Sequence, residues 1–111
     1  MSLLESGFTA TITSGQQDSA AVDLKDFTLC GFFTPAALTG TALSFKACAT
    51  VGGTYVPVHD AAGTLISKTV AAARYTPLTP EDFAGLRYIK VRSGSAEGAD
   101  RIITLAARRR F

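Results

Sequence analysis

The sequence predicts an all-β fold: an antiparallel β-sandwich of jelly-roll type, with about eight strands and one short helical turn near residues 80–84. Three observations predict it. No long helical pattern is visible. Turn signals recur at short intervals, at Ser14-Gly15, Thr39-Gly40, Gly52-Gly53, Ala62-Gly63, Gly85, Gly94 and Gly98. The runs between them are short and rich in Thr, Val, Ile, Phe and Tyr, the residues that suit a half-buried pleated surface.

Each element follows from its pattern. Residues 8–13 alternate Phe8, Ala10 and Ile12 against Thr9, Thr11 and Thr13. Residues 20–24 place Val22 and Leu24 inward. Residues 28–33 are apolar throughout, a pattern compatible with burial on both faces. Residues 42–50 set Leu43, Phe45, Ala47 and Ala49 against Ser44, Lys46 and Cys48. Gly52-Gly53 is expected to form a tight turn, since both residues tolerate positive φ. Residues 55–58 pair back, and Pro57 marks an edge strand or bulge. Residues 65–70 follow the Ala61-Ala62-Gly63 turn, and residues 69–74 read as a strand end and loop. In Thr79-Pro80-Glu81-Asp82, Thr79 is placed to cap, Pro80 suits the first helical position, and Asp82 sits three residues after the cap. Gly85 ends that turn. Residues 86–92 then alternate, with Ile89 and Val91 on one side and Tyr88, Lys90 and Arg92 on the other. Residues 101–107 close the set after the loop 93–100. A seven-strand immunoglobulin-like sandwich fits less well, because its cysteine and tryptophan pattern is missing and the chain contains no Trp. The sandwich is assigned to residues 8–107, with an N-terminal arm over 1–7 and a basic C-terminal arm over 108–111.

The 111 residues suffice for one domain with a core of its own. Hydrophobic residues make up 47% and charged residues 18%, yet the apolar runs are far shorter than the ~20 residues that span a bilayer. The excess suits either a well-filled core or a surface covered by a partner. Residues 1–60 carry two bases and five acids, a net of −3, whereas residues 86–111 carry seven bases and two acids, a net of +5. The C-terminal strands are therefore electropositive, as solvated faces or as a surface for an acidic partner. The N-terminus has neither the basic start nor the apolar segment of a signal peptide, so Cys30 and Cys48 are expected as free, small apolar residues.

No constellation in the sequence carries chemistry. His59-Asp60 are neighbours on a strand end and point to opposite faces. A cysteine nucleophile would need His59 and a third group beside it. Glu81 and Asp82 suit the dipole of a first helical turn. Asp18, Asp23 and Asp26 lack the dense pattern of a calcium loop. Neither Gly52-Gly53 nor Gly94-Ser95-Ala96-Glu97-Gly98 opens a helix, so neither is expected to cradle phosphate. Tyr55, Tyr75 and Tyr88 are the only candidates for a sugar-stacking platform. No enzyme activity, metal or cofactor is expected.

Three motifs occur in order: Thr39-Gly40-Thr41-Ala42-Leu43-Ser44-Phe45-Lys46-Ala47-Cys48; then Tyr55-Val56-Pro57-Val58-His59-Asp60-Ala61-Ala62-Gly63-Thr64; then Phe83-Ala84-Gly85-Leu86-Arg87-Tyr88-Ile89-Lys90-Val91-Arg92-Ser93-Gly94, ahead of Ala99-Asp100-Arg101-Ile102-Ile103-Thr104-Leu105. Over residues 8–107 the chain resembles the capsid decoration (cement or staple) proteins of short-tailed, epsilon-fifteen-like bacteriophages, and more broadly the small β-sandwich structural proteins of phage virions. The resemblance implies a jelly-roll sandwich made in the host bacterial cytoplasm. It implies a homodimer on the outer surface of the virion, clamping neighbouring major capsid protein subunits against internal DNA pressure. It implies no cofactor, no direct contact with nucleic acid and no membrane. A carbohydrate-binding or host-adhesion module of a phage virion is the alternative. The candidate contact residues are Tyr88, Lys90 and Arg92 on the strand face, and Arg108, Arg109, Arg110 and Phe111 in the C-terminal arm.

Overall fold

The computed structural model describes residues 4–50 and 52–109, with side chains from Phe8 onward. Nine strands and one 3-10 turn follow in chain order: β1 (Leu4–Ile12), β2 (Val22–Asp23), β3 (Phe27–Phe33), β4 (Ala42–Cys48), β5 (Val56–Pro57), β6 (Ser67–Thr69), β7 (Tyr75–Pro77), the turn Pro80–Phe83, β8 (Tyr88–Ser93) and β9 (Arg101–Arg109). The first sheet has the order β1-β9-β3-β7, and the second has β2-β8-β4 with β5 and β6 both against the outer edge of β4. Every pairing is antiparallel. With β5 and β6 counted as one interrupted strand, the chain crosses between the sheets at every step except β4 to β5. This is the jelly-roll arrangement of two four-stranded layers.

The core lies between the layers. Alternation supplies Ala10 and Ile12 from β1, Leu43, Phe45 and Ala47 from β4, Ile89 and Val91 from β8, and Ile103 and Leu105 from β9. Three rings form its centre: Phe45 stands 5.8 Å from Phe32 and 5.2 Å from Phe83, the latter edge-on at 81°. Phe83 reaches the core because the 3-10 turn carries it beneath the sheets. Burying each ring contributes roughly 2–3 kcal/mol.

Four expectations are corrected. Residues 28–33 are not buried on both faces. A β-bulge between Leu29 and Gly31 inserts Cys30, so Leu29 and Phe32 both face inward while Phe33 turns out and is 43% exposed. The expected arms are in part sheet: β1 begins at Leu4 and pairs Leu4 with Arg108, so Arg108 and Arg109 continue β9. Arg110 and Phe111 lie outside the described residues. Only Gly52 of the glycine pair has a positive φ, +76°, and the link from Cys48 to Val56 is longer than a tight turn. Thr79 makes no side-chain cap; its carbonyl accepts from the Asp82 amide at 3.1 Å, the i to i+3 bond of a 3-10 turn. Pro80 and the acids Glu81 and Asp82 do begin this turn, and Gly85 (φ +85°) ends it.

The end of the sandwich where β8 passes to β9 is tied by Glu97, whose side chain is fully buried. Its Oε1 accepts from the Thr39 amide at 2.8 Å and from Arg101 Nε at 3.0 Å. Its Oε2 accepts from the Gly40 amide at 2.9 Å and from Ser93 Oγ at 2.7 Å. Its own carbonyl accepts from Gly15, and its amide donates to Gln16. One residue thus fastens the entrance to β4, the end of β8, the start of β9 and the loop after β1. Gly40 is required there, because a Cβ would collide with Ser93 Oγ and lie 3.2 Å from the Gly94 amide. Burial pushes the Glu97 carboxyl up, but the bonds from Ser93, Thr39, Gly40 and Arg101 outweigh it and hold the pKa down at about 2.

A carboxyl whose folded pKa is depressed stabilises the fold fully above its unfolded value, near 4.5, and loses that contribution as pH falls toward 2. The contribution is on the order of 3 kcal/mol. Glu97→Gln turns an amide group onto hydrogen-bond donors and should cost about 2–4 kcal/mol at pH 7. Urea unfolding between pH 7 and 2 checks both effects: the variant should lose less stability over the acid window than the parent. Gly40→Ala should cost about 1–3 kcal/mol by the same measurement.

Candidate functional site

The two outer faces of the sandwich differ in chemistry, and strand register produces the difference. On the first sheet, antiparallel pairing lines up Thr9, Thr104, Phe33 and Tyr75 across β1, β9, β3 and β7. The next row holds Thr11 and Ile102. Neither row contains a charged residue. Phe33, Tyr75 and Ile102 are 43%, 44% and 53% exposed. Phe33 and Tyr75 meet at 4.7 Å between ring centroids. The Tyr75 ring lies across Gly31, where a Cβ would fall 2.6 Å from Tyr75 Cζ and 2.8 Å from Thr76 O. Gly31 therefore allows the tyrosine to lie flat on its sheet.

The outer face of the second sheet is cationic. Register places Lys90 opposite Lys46 and Arg92 opposite Ser44. Residues 17–19 run alongside β8, with the Ser93 amide donating to Gln17 O and the Ser19 amide to Val91 O. This brings Asp18 against Arg92. Asp18 Oδ2 lies 2.9 Å from Lys46 Nζ and Oδ1 lies 2.7 Å from Arg92 Nη1. Burial raises the Asp18 carboxyl, but the hydrogen bonds and charges of Lys46 and Arg92 prevail and hold it below the usual range. Arg92 also donates to Gln17 Oε1 at 3.2 Å. Lys90 Nζ sits 4.6 Å from the centre of the Tyr55 ring. Burial above all raises the Tyr55 hydroxyl, with added push from Cys48, Tyr88 and Asp23. Further along, Arg87 clasps Asp23 through both oxygens at 2.7 and 3.1 Å, which depresses the Asp23 carboxyl, and it lies over Tyr88 at 5.1 Å.

The structure thus places Tyr88, Lys90 and Arg92 together on one outer face, but Arg92 already answers Asp18. Arg108 and Arg109 are exposed at the far end of β9. They border a cleft with Thr28, Cys30, Pro80 and Glu81, and Arg109 lies 5.2 Å from the Phe27 ring. Lys46, Asp18 and the apolar rows of the first sheet complete the surfaces. Alternation already turns Lys46 outward, but cross-strand register, which pairs it with Lys90, leaves no mark in the sequence.

The other candidates do not converge. His59 Nδ1 lies 3.4 Å from Pro57 O, whereas Asp60 Oδ1 accepts from the Ala62 and Thr64 amides at 2.9 Å and shapes the loop before β6. The thiols are free and donate to backbone carbonyls, Cys30 to Thr28 at 3.3 Å and Cys48 to Thr50 at 2.7 Å. Asp18 and Asp23 serve separate cations, and among the described residues no three His, Cys, Asp or Glu side chains group as metal ligands. Tyr75 belongs to the first sheet while Tyr88 and Tyr55 belong with the second, so the tyrosines share no platform. Comparison with protein-family models, with curated proteins and with solved structures finds no match.

The Asp18 bridge gives a stability prediction. Arg92→Glu sets a carboxylate beside Asp18 and should cost about 1–3 kcal/mol, and Lys90→Glu, which disturbs no carboxylate pair, less than about 1 kcal/mol. Thermal unfolding of the two variants should separate them.

Proposed function

We propose that the protein is a bacteriophage head decoration, or cement, protein that binds the outer surface of the capsid and clamps neighbouring major capsid protein subunits. The observation that carries this reading is the sandwich with two outer faces of different chemistry, one carrying two rows of uncharged, partly apolar side chains, the other cationic. A clamp must grip two surfaces at once, and a rigid two-layer domain holds its faces at a fixed separation. The resemblance of residues 8–107 to phage decoration proteins supports the same reading. Jelly rolls serve both capsids and lectins, so the fold alone does not choose between them.

Mechanically the role is one of added interface. A specific protein–protein contact buries ~1,600 Å² in total. A protein seated across a subunit junction adds its binding free energy to that junction, and repetition over a closed shell multiplies the effect through avidity. No bond is made or broken.

The uncharged rows give the test. Phe33 and Ile102 are half exposed, so Phe33→Asp and Ile102→Asp should leave the fold intact. Each should lower occupancy on purified capsids by at least about tenfold, the cost of placing a charge in a dry contact. Co-sedimentation with shells of the phage that encodes the protein measures it. Parent protein that ignores the shells but binds a glycan array would replace this reading with the carbohydrate-binding alternative.

A further inference from the structure

The outer face of the second sheet holds more positive charge than its own carboxylates answer. Lys46 and Lys90 occupy directly facing positions on β4 and β8. Like charges so placed repel and cost stability. Asp18 answers two cations, Lys46 and Arg92. Lys90 has no carboxylate partner among the described residues and rests only on the Tyr55 ring. Two cations thus share one carboxylate, and the third has none.

A groove of about 390 Å³ opens beside them, lined by Ser44, Lys46, Pro57, His59, Leu65 and Arg92. It forms where the outer edge of β4 changes partner, from β6 against residues 42–44 to β5 against residues 46–47. One side offers the two cations and the Ser44 hydroxyl. The other offers Pro57 and Leu65, both exposed.

We infer that this groove and the adjoining Lys90 form a docking site for a carboxylate-bearing segment of a partner protein. An Asp or Glu side chain lodges by Lys46 and Lys90, and an apolar neighbour lies against Pro57 and Leu65. Charge complementarity selects the occupant. One net charge remains on the Asp18 triad and one on Lys90, enough for a carboxylate or two. A nucleic acid would need an extended basic stripe along its phosphates, and here the cations are confined to two short rows. The inference deepens the decoration reading and rests on it for the partner's identity: the segment would belong to the capsid surface.

The test uses the full chain and a capped acidic peptide, acetyl-Glu-Leu-Glu-Leu-Glu-amide, followed by amide chemical shifts. Saturable shifts should centre on Ser44–Lys46, His59, Lys90 and Arg92 and weaken as salt rises from about 50 to about 300 mM. Lys90→Gln, which leaves the Asp18 bridge alone, should lower peptide affinity at least about fivefold, and Arg87→Gln should not. No saturable shift at these residues, or unchanged affinity in Lys90→Gln, overturns the proposal. A DNA oligonucleotide that displaces the peptide at equal charge overturns its assignment to protein. Lys90→Gln protein that decorates shells as the parent does also overturns it, with the decoration reading intact. Peptide binding by a protein that ignores shells upholds the site and removes the capsid as its partner.

Discussion

Everything else in the molecule hangs on the buried carboxylate of Glu97. A fully buried charge is costly unless each oxygen is paired, and here four donors meet two oxygens. The donors come from the segment entering β4, the end of β8 and the start of β9, which are the points where the chain passes between layers. The backbone of the same residue holds the loop after β1. The two sheets therefore meet in one fixed register at this end. That register decides which side chains reach the outer faces.

The faces follow from it. A slip of one residue in β8 would send Ile89 and Val91 outward and Lys90 and Arg92 into the core, which burial forbids. Fixed in place, β8 must set Lys90 against Lys46, a local conflict only partly relieved by Asp18 and Tyr55. On the other layer, the bulge at Cys30 turns Phe33 out, and Gly31 lets Tyr75 lie over it. Natural sequences tend to break local rules where a surface has work to do. Both faces break one: facing lysines on one, exposed aromatic rings on the other.

Much of the fold was legible because alternation is a local signal. Residues 86–92 show Ile89 and Val91 against Tyr88, Lys90 and Arg92, and the core takes the apolar set. The turn at Pro80 was legible from Pro80 and the acids that follow it, and the return of residues 56–57 onto β4 from the turn signal between them. The β7 strand was not, because three residues ending in Pro77 cannot show a period. Nor was the bulge: Leu29 and Phe32 face one way only because the ladder skips Cys30. The candidate surfaces were half legible. Tyr88, Lys90 and Arg92 stood out as a strand face, but the partners that define their charge, Asp18 and Lys46, lie over 40 residues away in sequence. Glu97 looked like one polar residue of a glycine-rich loop, since a carboxylate's burial depends on donors brought from three other segments.

The central claim is that this sandwich works by gripping two surfaces at once. Under the proposed decoration role, cryo-electron microscopy of phage capsids purified with the protein bound tests this most directly. The predicted result is density for the sandwich on the outer shell, with the Phe33–Tyr75 face and the Lys46–Lys90 face each against protein, one of them able to meet a second copy of the chain. Shells without that density, or a sandwich attached by a single face with the other free to solvent, would contradict it.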